Sequence, residues 1–392
     1  MTSPAETPPR PLDIDEDLAD ENDIDPNRAD ENRIGPNTPE RRALVVGATG
    51  IGGSALVDLL AAQGWPVTAL SRRPIAERPG IRALSADLRS ADDLSRALAD
   101  EHPTHVFFTA WSRQDTEEQN IAVNGAMVRD LFAALSHAPL QHAALVTGLK
   151  HYLGPFEAYG QGDMPDTPFH EEEARLDAPN FYYAQEDELF AAADRAAFTW
   201  SVHRSHTVIG YAVGNAMNMG STLAVYASIC RELGTPFVFP GSLTQWNGLT
   251  DMTDATVLAE QMLWASTTDA GRNEAFNVVN GDVFRWRWMW TRLAQYFGVE
   301  PVGPGVDPQP LAQQMAGAQD VWTRIAREND LVEDDLGRIA SWWHTDADLG
   351  RGIEVVTDIS KSRLAGFGVH HRTVDSFTAL FDRYRADRLI PA

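Results

Sequence analysis

Three glycines, two adjacent arginines and one lysine are the residues of this 392-residue chain whose types and spacing could do chemistry. Gly47, Gly50 and Gly53 follow a short apolar run, Ala43 to Val46, and precede a helical face of Ala55, Leu56, Leu59 and Leu60. Strand, glycine turn and helix in that order open a dinucleotide-binding unit. Gly47 permits the tight turn, Gly50 lets the backbone approach a pyrophosphate, and Gly53 lets helix and strand pack closely. Free N–H groups of the first helical turn then face the anion. The second strand, Pro66 to Leu70, runs into Ser71-Arg72-Arg73, where an NAD site carries an acidic residue. Two guanidinium groups there suit the extra 2′-phosphate of NADP. Asp87, at the end of a third strand, offers a carboxylate to an adenine amino group.

A nicotinamide enzyme needs a hydrogen-bond donor beside the oxygen on which charge grows. A tyrosine hydroxyl near an ammonium group serves, because the cation favours the phenolate. The pattern Tyr-x-x-x-Lys is absent: Glu186 stands four residues after Tyr182, and Asp187 four after Tyr183. Either the site is inactive or the lysine comes from elsewhere. Lys150, after a fifth strand at Ala143–Val146 in a chain with very few lysines, is the candidate. Trp111 falls at the C-terminal end of the fourth strand, His105–Thr109, where ligands lie in parallel sheets. A long Gly- and Pro-rich loop after Lys150, carrying Phe156, reads as a binding loop. Met217 is open to core or ligand.

The elements that must position these groups alternate strand and helix from Ala43 to Gly210. They predict an α/β fold, a Rossmann-type doubly wound parallel sheet with a smaller, mainly helical C-terminal substrate-binding part. The expected parts are a disordered acidic tail at 1–42, an NADP-binding domain at 43–210 with returning segments near 246–280, and a substrate-binding part at 211–245 and 281–392. The predicted helices begin at Ser54, Ala91, Asn120 and Gln185, and the third strand spans Ala83–Leu88. His151 and His203 read as structural rather than catalytic.

Composition narrows the function classes. The net charge is −24, and residues 1–40 hold twelve acidic and three basic side chains. That balance argues against nucleic acid as a partner. The tail repeats LADENDIDPN as RADENRIGPN, too short and polar for a solenoid. One cysteine, Cys230, excludes an internal disulfide and fits a reducing compartment. No apolar run approaches a membrane span. The reading is a cytoplasmic protein with no membrane partner and no convincing metal constellation.

Several stretches together resemble the progesterone 5β-reductase and iridoid synthase-like enzymes, atypical extended short-chain dehydrogenases. They are Gly47–Gly53, Arg72-Arg73, TGLKHYLGPFE from Thr147, NFYY from Asn180, WSVHR from Trp200 and NEAFNVVNGDVFRW from Asn273. The likeness continues through Trp342-Trp343, Lys361-Ser362 and Gly366-Phe367 and covers about residues 43 to 390. It implies NADPH-dependent reduction of the C=C bond of enones. The matching catalytic residues are Lys150 and Tyr182. Thr49, Gly50 and Ile51 would touch the pyrophosphate, Arg72 and Arg73 the 2′-phosphate, and Asp87 with Leu88 the adenine. Val146 and Val208 would lie near the nicotinamide.

Departures from the family pattern fall around the pocket. Ser205 and His206 replace Pro and Gly, Ala110 and Val146 replace Thr and Gln, and His344 stands where Phe lines the pocket. The expectation is a small-molecule enone substrate, with Trp111, Phe156, Met217 and His344 in its pocket, and a homodimer left open. The alternatives are a carbonyl reductase, a nucleotide-sugar epimerase of the extended class, and a nonenzymatic NADP(H) sensor.

Overall fold

In the computed structural model the described residues are 41–73, 75–154, 166–212, 214–215 and 217–392; Phe156 lies outside them. Arg41–Ala392 forms one compact unit. Strand β1 (Ala43–Val46) is buried at every residue, as a strand covered on both faces must be. Helix α1 (Ile51–Ala62) follows, then β2 (Val67–Ser71), β3 (Ile81–Ser85), α2 (Ala91–Leu98), β4 (His105–Phe108) and α3 (Glu117–Ala134). Next come β5 (His142–Gly148), the one-turn α4 (Lys150–Leu153), α5 (Phe181–Ala196) and β6 (Thr199–Ser205). After a short β7 (Val208–Ile209), the chain forms α6 (Met219–Leu233), β8 (Phe237–Val238), α7 (Leu243–Asn247), β9 (Thr253–Asp254), α8 (Ala255–Thr267) and β10 (Glu274–Val278).

Seven strands make one parallel sheet in the order β10-β6-β5-β4-β1-β2-β3. The order in which strands are added reverses between β1 and β4, and the crevice at their carboxyl ends is the expected ligand site of a doubly wound sheet. Leu56, Val57 and Leu60 of α1 share one apolar core with Val257, Leu258 and Met262 of α8. Leu94, Val128, Leu131 and Leu189 of α2, α3 and α5 belong to another. The third core sits outside the sheet on α6, which is buried from Met219 to Cys230. Trp290 stacks on Phe237 with ring centroids 3.9 Å apart and donates its indole N–H to the Phe237 carbonyl.

Several predicted boundaries move, each for a local reason. Helix α1 starts at Ile51 rather than Ser54, since Gly50 is already the extended cap residue. Thr116 caps α3 by accepting from the Gln119 N–H, so that helix begins at Glu117 and not Asn120. Asn180 caps α5 through the Tyr182 N–H, which draws both tyrosines into the first turn instead of leaving them before Gln185. Strand β3 ends at Ser85, two residues before Asp87, because its register follows β2.

Candidate active site

At the carboxyl end of β1 the glycine turn leaves no room for side chains. Gly47 has φ +87°, and a Cβ on Gly53 would stand 2.2 Å from the Gly47 carbonyl oxygen. This is the close helix-to-strand approach that only glycine allows. Ser71 and Ser85 donate to the carbonyls of Arg73 and Arg72, at 2.6 and 3.0 Å, and so fix the arginine loop. Asp87 is ion-paired with Arg89 at 2.8 Å. The Arg89 hydrogen bond leads the effects that hold its carboxyl below the ordinary range, and Arg72 adds to them.

A cleft of about 1100 Å³ runs along these groups, lined by Gly47, Thr49, Gly50, Arg72, Arg73, Asp87, Leu88 and Trp111. It shares Gly50, Trp111 and Met217 with an inner chamber of about 250 Å³. Ile51, Val146, Lys150, Tyr182, Val208 and His344 line that chamber. The structure therefore gathers the sequence-predicted residues around one connected space, apart from Phe156 and from Gly53, which packs against the turn.

Each wall is held from behind. Asn124, fully buried on α3, accepts from the Ser112 N–H at 2.7 Å and fixes the loop carrying Trp111. Trp111 stacks on Phe181, the first residue of α5, with centroids 5.5 Å apart. The Lys150 ammonium sits 4.8 Å from the Phe181 ring centroid and 3.4 Å from the Glu117 carboxylate. The Asn180 amide donates to the Lys150 carbonyl at 2.7 Å and accepts from the Tyr182 N–H at 3.0 Å. One side chain thus ties the two residues together through their backbones. Gly148 completes the fit: a Cβ there would lie 3.3 Å from the Tyr182 hydroxyl.

The geometry separates the two tyrosines. Tyr183 donates to the His151 carbonyl at 2.7 Å and accepts from the Leu176 N–H at 3.0 Å, so both of its roles are spent on backbone. The Tyr182 hydroxyl makes no hydrogen bond among the described residues, and its side chain faces the chamber. Burial first, then the Glu117 carboxylate, pushes the Tyr182 phenol above its ordinary range. This corrects the expectation of a lysine-favoured phenolate. Glu117 partners the ammonium, and the phenol stays protonated as a donor.

Glu117 was not evident from sequence. It accepts from Lys150, from the Phe181 N–H at 2.8 Å and from Asn120 at 3.0 Å. An acidic residue in the first turn after a Thr cap was its only local signal. The structural readings of His151 and His203 hold. His151 donates to the Glu173 carbonyl at 3.2 Å, and burial lowers its pKa to about 4. His203 bonds Gln261 and Ser201 inside the sheet. His206 instead lines the chamber. Among the described residues there is no cluster of acidic, His or Cys side chains able to hold a metal ion. No described helix is long and apolar enough to cross a membrane.

Solved structures share the fold at low identity. UDP-glucose 4-epimerase of Thermus thermophilus, in complex with NAD, aligns with TM-score 0.60 and 18% identity over 88% of this chain and 99% of that one. MoeE5 in complex with UDP-glucuronic acid and NAD aligns with TM-score 0.62 and 18% identity over 88% and 99%. Relatives in sequence are nearer. A 3-oxo-Δ(4,5)-steroid 5β-reductase of Arabidopsis thaliana is 37% identical over 90% of this chain and 94% of its own length. An (S)-8-oxocitronellyl enol synthase of Nepeta racemosa is 38% identical over 90% and 94%. The PRISE-like Rossmann-fold domain model matches residues 43–391. With the sheet order, the glycine turn and that match spanning nearly its whole length, the chain belongs to the PRISE-like Rossmann-fold family.

Proposed function

We propose that this protein is an oxidoreductase that reduces the C=C bond of α,β-unsaturated carbonyl compounds with NADPH, by hydride transfer to the β-carbon. One observation carries the reading: the Tyr182 hydroxyl, uncommitted among the described residues, faces a chamber continuous with the glycine-turn cleft and shared with Lys150. The dinucleotide fits what the chain offers, since Gly47, Thr49 and Gly50 line the cleft just before the first turn of α1, where N–H groups suit a pyrophosphate. Thr49, Gly50 and Ile51 would hold the pyrophosphate, Arg72 and Arg73 the 2′-phosphate, Asp87 and Leu88 the adenine, and Val146 and Val208 the nicotinamide end. Bound NADPH supplies the hydride.

The chain's own residues do the rest. Tyr182 donates its hydrogen to the carbonyl oxygen of the enone. Negative charge gathers on that oxygen as an enolate, and the hydrogen bond strengthens with it. The Lys150 ammonium, fixed by Glu117, adds a positive field beside the same oxygen. A proton taken from solvent at the α-carbon completes the saturated carbonyl. The relatives' names support the same chemistry, a 3-oxo-Δ(4,5)-steroid being a conjugated enone. A cytoplasmic location is part of this reading, supported by the single cysteine, as is a small-molecule rather than a nucleic-acid partner. A homodimer is compatible with it.

Purified protein, NADPH and cyclohexenone test the reading by the loss of NADPH absorbance and by product identification. The saturated ketone is expected. Allylic alcohol would mean carbonyl reduction, and tight NADPH binding without turnover would leave a sensor.

A further inference from the structure

The inner chamber has a polar side that the proposed reduction does not use. His206, Thr207, His344, Asp348 and Arg351 line it. Arg351 donates to the His206 Nε2 at 2.8 Å, so that nitrogen carries no hydrogen. The His206 Nδ1–H therefore donates to Asp251 at 2.7 Å. Asp251 is 1% exposed and also accepts from the Thr357 N–H at 2.7 Å. Asp348 pairs with Arg351 and accepts from the Thr207 hydroxyl at 3.0 Å. The His344 Nδ1 is buried and has no hydrogen-bond partner among the described residues.

We infer that this side of the chamber recognises a hydroxyl group that the substrate carries away from its reacting double bond; the inference rests on the enone-reductase reading. A hydroxyl both donates and accepts. It can give its hydrogen to the Asp348 carboxylate and meet the His344 ring, which lines the same wall. A hydrocarbon tail would take that carboxylate out of water without pairing it, which is costly. Asp348 pairs with Arg351, Asp251 bonds His206, and Lys150 pairs with Glu117. The Asp348 carboxylate on the wall repels a carboxylate tail, so the site selects a neutral polar group.

Three enones with one skeleton, ending in hydroxyl, methyl or carboxylate on tails of graded length, test this. Two readouts are taken: kcat/KM with NADPH, and calorimetric Kd of the matching saturated ketones on the protein with NADP+. The hydroxyl compound is expected to lead the methyl one by about tenfold in both, as a site built for a polar group rejects its apolar isostere. The carboxylate should bind worst. His344→Phe should bring the hydroxyl-to-methyl ratio close to one. Equal affinity for hydroxyl and methyl in the parent overturns the inference, and so does an unchanged ratio in His344→Phe. The parent comparison needs no variant, so a misfolded His344→Phe leaves the test decisive. Preferential binding of the hydroxyl ketone without any turnover would keep the hydroxyl site and sink the reductase reading.

Discussion

Two regions of the molecule bury histidines among polar partners, and they treat them in opposite ways. Inside the central sheet, His142 donates from Nε2 to Ser201, Ser201 to the Nε2 of His203, and the His203 Nδ1 to Gln261. Each ring keeps one hydrogen and no countercharge. Burial drives the pKa of His142 to about 3 and of His203 to about 4, and that of nearby His105 to about 4. At the chamber wall, His206 lies between a carboxylate and a guanidinium. The sheet histidines form a neutral line of hydrogen bonds that ends, through Gln261, on the Asn277 carbonyl. The wall histidine belongs to a charged network that opens onto a cavity. Burial alone makes a histidine structural, and burial with ions at a cavity makes it a means of recognition.

Acid should break the sheet first and with the largest effect. A histidine whose pKa is lower folded than unfolded costs nothing above pH 6.5. As pH falls below that value the unfolded chain gains protons the fold refuses, until the folded pKa near 4 is reached. Each of His105, His142 and His203 then removes about 1.4 kcal/mol per pH unit, so together they cost about 6 kcal/mol by about pH 5. Urea midpoints measured across that window should fall steeply, and midpoints that stay flat would show the sheet histidines are not neutral. Next in size is Asp251→Ala, which leaves the buried His206 Nδ1–H and Thr357 N–H without their acceptor. It should cost about 4 kcal/mol in urea unfolding, against little for an exposed carboxylate such as Asp269.

The wall's chemistry can be separated from its architecture by the paired tyrosines. Tyr182→Phe should lower kcat on an enone about 100-fold, equivalent to about 2.7 kcal/mol. Tyr183→Phe, which loses two backbone hydrogen bonds, should lower stability by about 2 kcal/mol in urea and leave more of kcat. Equal kcat losses would end the distinction between them. The smallest expected effect lies in the outer cleft. Arg72→Ala with Arg73→Ala should weaken NADPH about tenfold, or about 1.4 kcal/mol, without weakening NADH. Calorimetry with both dinucleotides decides it.

These contrasts also mark what the sequence could reveal. The glycine turn was legible because its constraint is carried by the backbone of seven consecutive residues, Gly47 to Gly53. The parallel doubly wound sheet followed from the alternation of strands and helices. Glu117, Asp251 and the pairing of Asp348 with Arg351 were not legible. Each works only after segments far apart in the chain have packed together, and none carries a local pattern of its own. Tyr182 stood between the two cases. The residues showed a pair of tyrosines, the family resemblance chose one, and the second tyrosine's hydrogen bonds supply the physical reason. The helix starts were misplaced by three or four residues at α1, α3 and α5, where a cap residue decided the first turn.

The Asn180 amide, bonded to the Lys150 carbonyl and the Tyr182 N–H, has a further consequence. The spacing of ammonium and phenol is set by a short bracket and not by the stretch of polypeptide that joins them. Replacing Asn180 should therefore loosen the ammonium against the phenol even with every residue of that stretch left in place.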